Sequence, residues 1–245
     1  MISQKGIGIC SDSSGNAYLV YNATIYVYAH GATTPSQTLT LPSQGHSCAV
    51  DPLSGNLAVT LEAQASVAVF TQPYNQATQY SVPVLPAFCG YDNAGNLFVD
   101  YYAGAPYTYL GLSELPNGGS AFSTLTLSPP SNDSPGAIQW DGQYLTISTG
   151  LGELRPAKAT IDRVTISNST ATVIGSTVLE TRRTTGYPLI YQTQVIMPYV
   201  LRQLQMRSIG LWVYPRGGKP ERQAKNLVGK FETLSGAAIS VAPSE

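Results

Sequence analysis

The main shortage in this sequence of 245 residues is charge. Lys, Arg, Asp and Glu together make up 11% of the chain, whereas soluble domains usually carry about 25%. A helical protein needs charged and alanine-rich outer faces, so this composition disfavours one. Disorder is disfavoured too, because 43% hydrophobic residues, including 9% aromatic residues, can form a core.

Long apolar runs are also missing. No stretch reaches the length of about 18 apolar residues that a membrane span requires, and the first five residues (MISQK) lack the apolar segment of a signal peptide. Two interpretations stay open: a cytoplasmic protein, or a chain that begins downstream of its export signal. The low charge and the abundance of Ser, Thr and Tyr favour export.

Residues that usually carry chemistry are scarce. The two histidines, His30 and His46, do not have the spacing of metal ligands, and no Cys-x-x-Cys pair exists. The histidines and serines show no triad spacing. The segment 117–119 (NGG) is typical of a hairpin turn and does not open a helix, as a phosphate-binding loop would. The sequence therefore predicts no catalytic residue, no bound metal and no cofactor.

What the sequence has instead is a repeat built on turn residues. Its unit is a short apolar strand, an Asp, two or three turn residues, Gly-Asn, and a second apolar strand. Three segments show it: 8–20, 47–59 and 88–99. Gly15, Gly55 and Gly95 lie 40 residues apart, the length of a four-stranded propeller blade. The Asp can accept hydrogen bonds from turn amides, and the Gly provides the positive φ of a tight hairpin.

The repeat predicts an all-β fold, a single β-propeller domain over 1–245 with about five four-stranded blades. The blades are expected at approximately 6–43, 44–84, 85–130, 135–180 and 186–230. In the weak fifth unit, strands are expected at 189–192, 194–197 and 209–214. Segment 236–243 resembles one more first strand with no second strand after it. The favoured interpretation is a six-bladed propeller lacking its first blade, and the alternative is a five-bladed ring with a spare strand.

These repeats resemble the six-bladed NHL-like and gluconolactonase-like propellers. More closely, they resemble a group of bacterial secreted or lipoprotein-like propeller proteins with no assigned reaction. The matching segments are 47–60 (SCAVDPLSGNLAVT), 88–100 (FCGYDNAGNLFVD), 114–116 (ELP), 136–142 (GAIQWDG) and 211–220 (LWVYPRGGKP). The resemblance covers nearly the whole chain and implies a propeller fold, export and one more upstream blade. Segment 199–207 (YVLRQLQMR) departs from the pattern, which has a small polar loop there.

The three cysteines all lie in predicted first strands. Cys48 and Cys89 precede the turn Asp by three residues, whereas Cys10 precedes its Asp by two and points to the opposite face of its sheet. Neighbouring blades can therefore turn Cys10 and Cys48 toward each other, and export would permit a disulfide. Equivalent side chains around a ring point the same way, which disfavours a Cys48–Cys89 bridge. The alternative is that all three are small buried apolar residues between blades.

Acidic residues offer one candidate site. Glu62, Asp100 and Glu153 follow predicted second strands near one mouth of the ring and could gather there. A propeller hydrolase that uses Ca²⁺ would need such oxygen ligands converging on the channel. The alternative interpretation is that these side chains are ordinary solvated loop ends.

Charge is distributed unevenly along the chain. Residues 1–180 carry 4 basic and 11 acidic residues, and residues 181–245 carry 9 basic and 3 acidic residues. The basic set is Arg182, Arg183, Arg202, Arg207, Arg216, Lys219, Arg222, Lys225 and Lys230. Such a patch could bind an anionic polymer or surface. It could equally solvate the loops of a divergent blade or match the acidic blades electrostatically.

Taken together, these features favour a non-catalytic exported propeller that binds a ligand or partner through loops at one mouth of the ring. The alternative is a metal-dependent, lactonase-like hydrolase or lyase with a divalent ion in the channel. A secreted or cell-envelope location and a monomeric state are expected. No nucleic-acid partner is expected, because the basic residues are spread over several loops with few aromatic residues between them.

Overall fold

The repeated Asp and Gly residues close a tight turn between two antiparallel strands. In the first repeat, Asp12 Oδ1 accepts hydrogen bonds from the backbone N–H groups of Ser14 and Asn16, at 3.0 and 2.8 Å. The turn glycines all have positive φ, as the hairpin requires. They are Gly15 (81°), Gly55 (72°), Gly95 (80°) and Gly142 (101°). The hairpin predicted from the repeat is therefore confirmed in four units.

The computed structural model describes residues 7–104, 109–149, 159–180, 193–196, 199–205, 208–219 and 221–225. Within these ranges the chain forms 20 strands and one short 3₁₀ turn, Glu62–Gln64. The strands form five groups of four consecutive antiparallel strands. The chain is a β-propeller with about five blades, as the repeat predicts. No helix in the described part is long and apolar enough to cross a membrane.

The blades follow the chain order. Blade 1 consists of β1 (Ile7–Ser11), β2 (Ala17–Tyr21), β3 (Thr24–Tyr28) and β4 (Gln37–Thr40). Blade 2 consists of β5 (Gly45–Val50), β6 (Leu57–Leu61), β7 (Ser66–Phe70) and β8 (Ala77–Ser81). Blade 3 consists of β9 (Pro86–Tyr91), β10 (Leu97–Ala103), β11 (Tyr109–Leu115) and β12 (Ser123–Ser128). Blade 4 consists of β13 (Ile138–Trp140), β14 (Leu145–Thr149), β15 (Ala159–Ser167) and β16 (Thr170–Leu179). The outer strands of blades 3 and 4 also pair in parallel, with Leu127 opposite Ala171.

The described strands of the fifth blade lie between residues 193 and 225. It consists of β17 (Thr193–Ile196), β18 (Tyr199–Gln205), β19 (Ser208–Val213) and β20 (Arg222–Lys225). Segment 199–207, which departs from the small polar loop of the family pattern, is mostly strand β18, paired with β17 and β19. The strand predicted at 194–197 largely coincides with β17, the first described strand of this blade. Segment 189–192 and the spare strand at 236–243 lie outside the described residues.

The core lies between adjacent blades. Four buried apolar clusters bridge blades 1 and 2, 2 and 3, 3 and 4, and 4 and 5. In the last of these, Trp212 of blade 5 is fully buried (0% exposed) and packs with Ile161 and Leu179 of blade 4. Strand β6 is buried at every position because both of its faces meet a neighbouring blade. Each blade therefore depends on its neighbours for apolar burial.

One position of the second strand repeatedly fixes a blade to the next one. It lies five residues after the turn glycine and is occupied by Val20, Thr60 and Asp100. Val20 packs so closely on Gly45 of blade 2 that a Cβ there would lie 2.6 Å from Val20 Cγ1. The Thr60 hydroxyl donates to Ala87 O of blade 3, at 3.0 Å. The same structural role is thus filled by an apolar, a hydroxyl and a carboxyl side chain.

Candidate functional site: the cavity between the first strands

The first strands of blades 1 to 4 line a half-open cavity of about 270 Å³. Each strand contributes the residue that immediately precedes its turn aspartate, so these four residues share one height around the cavity. They are Ser11, Val50, Tyr91 and Trp140. Below them, the residues two positions before the aspartate are Cys10, Ala49, Gly90 and Gln139. Apart from Gln139, these are small residues, which leave the space open.

The cavity wall is largely strand edge. Within the described residues, each of β1, β5, β9 and β13 hydrogen-bonds to only one neighbouring strand. The other edge of each strand borders the cavity and presents backbone N–H and C=O groups toward it. Burial raises the pKa of the Tyr91 hydroxyl and of the Cys89 thiol, so both wall residues are neutral at physiological pH. The described wall is therefore polar but uncharged.

The turn aspartates beside the cavity are engaged in their own turns. Asp51 is buried and accepts hydrogen bonds from Leu53 N, at 3.0 Å, and from the Ser54 hydroxyl. Asp141 accepts from the backbone of Gln143 and, at 2.6 Å, from the Tyr214 hydroxyl of blade 5. These carboxylates shape the mouth of the cavity through hydrogen bonds within the protein.

Asp100 does not lie where the sequence placed it. It lies inside β10 rather than after it, and it is fully buried (0% exposed). Its Oδ1 accepts a hydrogen bond from Phe88 N and its Oδ2 accepts one from Gly136 N, both at 2.8 Å. The register of β9 against β10 shifts between Val99 and Tyr101, at Asp100. Asp100 therefore ties β9 to the start of blade 4 and does not face solvent at the mouth of the ring.

The predicted gathering of Glu62 and Glu153 with Asp100 stays a prediction. Glu62 begins the 3₁₀ turn after β6, and Glu153 lies outside the described residues. Within the described ranges, no group of three or more His, Cys, Asp or Glu residues is placed to hold a metal ion. His46 instead makes an edge-on contact with Phe88, with ring centroids 5.3 Å apart.

The cysteines occupy three of the strands that border the cavity. Cys10 and Cys48 are joined by a disulfide between blades 1 and 2, with their Cα atoms 5.7 Å apart. Cys89 is a free, buried thiol. Cys48 Sγ lies 3.7 Å from the carbonyl oxygen of Tyr18 in blade 1, and Cys89 Sγ lies 3.8 Å from that of Ala58 in blade 2. Tyr18 and Ala58 hold equivalent positions, so both sulfurs face the preceding blade.

The basic residues of the C-terminal region are only partly described. Arg216, whose side chain is 69% exposed, donates to Glu221 Oε1 at 3.0 Å. Lys219 and Arg222 are exposed in blade 5, and Arg202 lies in β18. Arg182, Arg183, Arg207 and Lys230 lie outside the described residues. Whether these residues form one surface stays a prediction.

Sequence reasoning missed the cavity residues. Ser11, Val50, Tyr91 and Trp140 have different chemistry, so no motif connects them. A signal was nevertheless present, because each residue immediately precedes a turn aspartate. In a closed repeat, equivalent positions of the innermost strands lie at the same height around the axis. Aligning the repeats on the aspartate would have identified this set.

Solved structures show what this architecture is similar to. A chain in the crystal structure of a nidogen/laminin complex is 14% identical, with 96% of this chain and 85% of that chain covered and a TM-score of 0.70. Streptogramin B lyase is 13% identical, with 94% and 72% covered and a TM-score of 0.61. The β-propeller domain of Myceliophteria thermophila Cps50 (Swd1) is 10% identical, with 93% and 74% covered and a TM-score of 0.56. Identities this low show the fold alone.

No protein-family model and no curated protein matches the sequence. The class that the fold defines is the β-propeller, and the comparisons do not assign the chain to a narrower family within that class.

Proposed function

We propose that this chain is a non-catalytic, exported binding propeller that takes a small ligand in the cavity between its first strands. The observation that carries the proposal is the cavity of about 270 Å³ at the turn-bearing mouth of blades 1 to 4. Small-molecule sites are typically concave, pre-formed and few in a protein. The finer resemblance to bacterial secreted or lipoprotein-like propellers is part of this proposal.

The acidic residues support binding over catalysis. A hydrolase or lyase with a channel-centred divalent ion needs several carboxylates directed at one point. Asp51, Asp100 and Asp141 instead accept hydrogen bonds from backbone or tyrosine groups of the protein. The fold itself does not decide the matter, because one similar structure contains a nidogen/laminin complex and another is a lyase.

Export is supported by the cysteines. Disulfides persist in oxidising compartments and are rare in the cytosol. The Cys10–Cys48 bridge joins two strands of the cavity wall, so an oxidising environment would hold blades 1 and 2 together at the binding site. Secretion into the medium or retention at the cell envelope would both satisfy this condition.

Fluorescence of Trp140 tests the binding proposal directly. The chain has two tryptophans, and Trp212 is fully buried between blades 4 and 5. A Trp212→Phe variant therefore retains only the tryptophan at the cavity. We expect at least one compound from a library of neutral, anionic and cationic small molecules to change this emission and to raise the melting temperature.

The site is located by a pair of substitutions. Ser11→Phe places a ring in the cavity wall, whereas Ser14→Phe places the same ring on the exposed turn three residues away. Binding should be lost in the folded Ser11→Phe variant and retained in the Ser14→Phe variant. A library without a single binder, or equal binding by both variants, would contradict the proposal. A stoichiometric divalent ion in the purified protein would favour the metal-dependent enzyme instead.

A further inference from the structure

We propose that the face of blade 4 that meets blade 5 binds an oxyanion, that is, a carboxylate, phosphate or sulfate group, through the guanidinium of Arg163. This site is separate from the cavity between the first strands and does not rest on the proposed function. Three observations support it: the position of Arg163 in its blade, the lack of an acceptor for its guanidinium within the described residues, and two hydroxyl groups on the same face of the sheet.

Arg163 occupies a position that faces the next blade. It lies in the third strand of blade 4, where Val27 and Val69 hold the equivalent positions in blades 1 and 2. Both valines are buried against the following blade, and blade 3 has Glu114 there. The next residue of blade 4, Val164, packs toward blade 3, so Arg163 points the other way, toward blade 5. Its guanidinium is charged at any physiological pH.

The guanidinium has no acceptor in the described part of the chain. Its Nε is buried without a hydrogen-bond partner, and no described carboxylate forms an ion pair with it. Its Nη2 lies over Gly175 of β16, 2.5 Å from the place where a Cβ would stand on that residue. Only Nε is both buried and unpaired, so the two Nη groups are accessible to a ligand. An oxyanion at this place supplies the missing counter-charge through charge-assisted hydrogen bonds.

The carboxylates nearby are engaged elsewhere. Asp141 accepts hydrogen bonds from two backbone N–H groups of its own turn and from the Tyr214 hydroxyl. Burial and this hydrogen bond raise the pKa of Tyr214, and the positive charge of Arg163 opposes the rise. Arg163 therefore lies within electrostatic reach of the pair without bonding to it. Asp162 lies on the opposite face of β15 and hydrogen-bonds to Ser176.

Two threonines add hydroxyl groups beside Arg163. Thr165 follows it by two residues on β15 and pairs with Thr172 of β16, and both threonines are exposed. The strand neighbours Ala171 and Val173 pack toward blade 3, so Thr172 points to the face that carries Arg163. A hydroxyl donates to an oxyanion as readily as a guanidinium N–H does. One guanidinium and two hydroxyls thus present donors on a single face.

A basic turn of blade 5 lies on the same strand. Turn 215–218 is held against β16, because the Thr177 hydroxyl donates to the first carbonyl of the turn at 2.8 Å. The turn contains Arg216, which forms an ion pair with Glu221, and is followed by the exposed Lys219. Together with Arg163, Lys219 adds positive charge that Glu221 does not offset, which attracts anions to this interface.

Simple oxyanions test the site. Sodium acetate, phosphate and sulfate are titrated into the oxidised protein, with the ionic strength held constant by sodium chloride. Calorimetry should detect saturable binding of at least one of them, and that anion should raise the melting temperature. The anion that binds most tightly identifies the source of the oxyanion as a carboxylate, phosphate or sulfate group.

Matched variants connect the binding to Arg163. Arg163→Gln should weaken the anion at least about tenfold, the loss expected for a hydrogen bond to a charged group. Arg216→Gln removes a neighbouring charge of the same sign that is already paired, so it should leave the affinity within about twofold. Thr172→Val should weaken the anion by roughly two- to twelvefold.

Gly175→Ala separates the position of the guanidinium from its charge. The added Cβ displaces Nη2, so the affinity should fall although no charge is lost. This variant decides the matter if Arg163→Gln does not fold. Without an oxyanion, folded Arg163→Gln should melt at or above the temperature of the wild type, because it loses a buried unpaired donor.

The opposite results would overturn the inference. They are no oxyanion binding by the wild type, equal binding by Arg163→Gln, or equal binding by Gly175→Ala. A lower melting temperature of Arg163→Gln without oxyanion would show that Arg163 serves the fold, and would overturn it as well. None of these results affects the proposed function, because the cavity between the first strands contains none of these residues.

Discussion

The interface between blades 1 and 2 and the interface between blades 2 and 3 are built alike but are linked differently. Cys48 and Cys89 occupy the same position and face the same backbone carbonyl of the preceding blade. At the first interface the opposing residue is Cys10, which forms the disulfide. At the second interface the corresponding residue is Ala49, which packs in the same cluster as Cys89. A single side chain thus decides whether repeating geometry becomes a covalent link.

The interface between blades 3 and 4 adds a second contrast. At the position five residues after the turn glycine, blade 2 bonds to the next blade through the Thr60 hydroxyl and blade 3 through the Asp100 carboxyl. Both side chains hydrogen-bond to the first strand of their own blade. Thr60 also bonds to Ala87 in the first strand of blade 3, and Asp100 bonds to Gly136, two residues before the first strand of blade 4. The same position accepts either a hydroxyl or a carboxyl group. Of these two groups only the carboxyl titrates, so only the interface between blades 3 and 4 is expected to depend on pH through this position.

The largest expected effect comes from removing the disulfide. A Cys10→Ala, Cys48→Ala variant should lose about 3–4 kcal/mol of stability to urea, because the bridge closes a loop with a sequence separation of 38 residues. Reduction of the wild type should have a similar effect. Cys89→Ala is the control, since it leaves the difference between oxidised and reduced protein unchanged. Peptide mapping that finds Cys48 linked to Cys89, or three free thiols in oxidised protein, would refute the assignment.

The second interface should accept a disulfide that it lacks. Ala49→Cys places a thiol opposite Cys89, and oxidation should join the two and stabilise the protein by up to about 3 kcal/mol, since engineered bridges often deliver less than the entropy model predicts. Non-reducing peptide mapping detects the new link. Val50→Cys is the matched control, because its side chain points to the opposite face of β5. A link in the control, or none in Ala49→Cys, would show that the two interfaces are not equivalent.

The smallest effect should appear in the pH dependence of the interface between blades 3 and 4. Burial raises the pKa of Asp100 well above the usual value, against the opposing effect of hydrogen bonds from Phe88 N and Gly136 N. The neutral acid is therefore favoured in the folded state. The contribution of Asp100 to the free energy of unfolding is complete below the unfolded pKa of about 3.9. This contribution is lost as the pH rises through the raised pKa of the folded state.

Comparison with Asp100→Asn isolates this contribution. The stability of the wild type relative to Asp100→Asn should fall with rising pH, by up to about 1.4 kcal/mol per pH unit between the two pKa values. Urea unfolding of both proteins from pH 4 to pH 8 measures it. Thr60→Val is the control: it removes a hydroxyl, which does not titrate, at the equivalent position of blade 2. The stability difference between the wild type and Thr60→Val should not depend on pH. A constant difference between wild type and Asp100→Asn would mean that Asp100 keeps an ordinary pKa.

The turn and the two strands of each of the first repeats were predictable because they follow from local chemistry. Asp and Gly at fixed spacing dictate a tight turn, and their recurrence every 40 residues dictates blades. The strands of the fifth blade were harder to predict because this blade lacks the Asp-Gly marker, so its apolar segments indicate strands without indicating their order in the sheet. Its second strand, which includes Arg202 between Leu201 and Gln203, has no strict alternation to identify it.

The propeller class, the hairpin turns and the phase of the three cysteines follow from the sequence alone, because strand alternation and turn chemistry act over a few residues. The role of Asp100 is visible only in three dimensions: its carboxyl, expected at a loop end, is buried and hydrogen-bonds blade 3 to the start of blade 4. The same holds for the cavity, since Ser11, Val50, Tyr91 and Trp140 come from four blades. Their proximity arises from the arrangement of the blades around a common axis, a long-range property that no local pattern encodes.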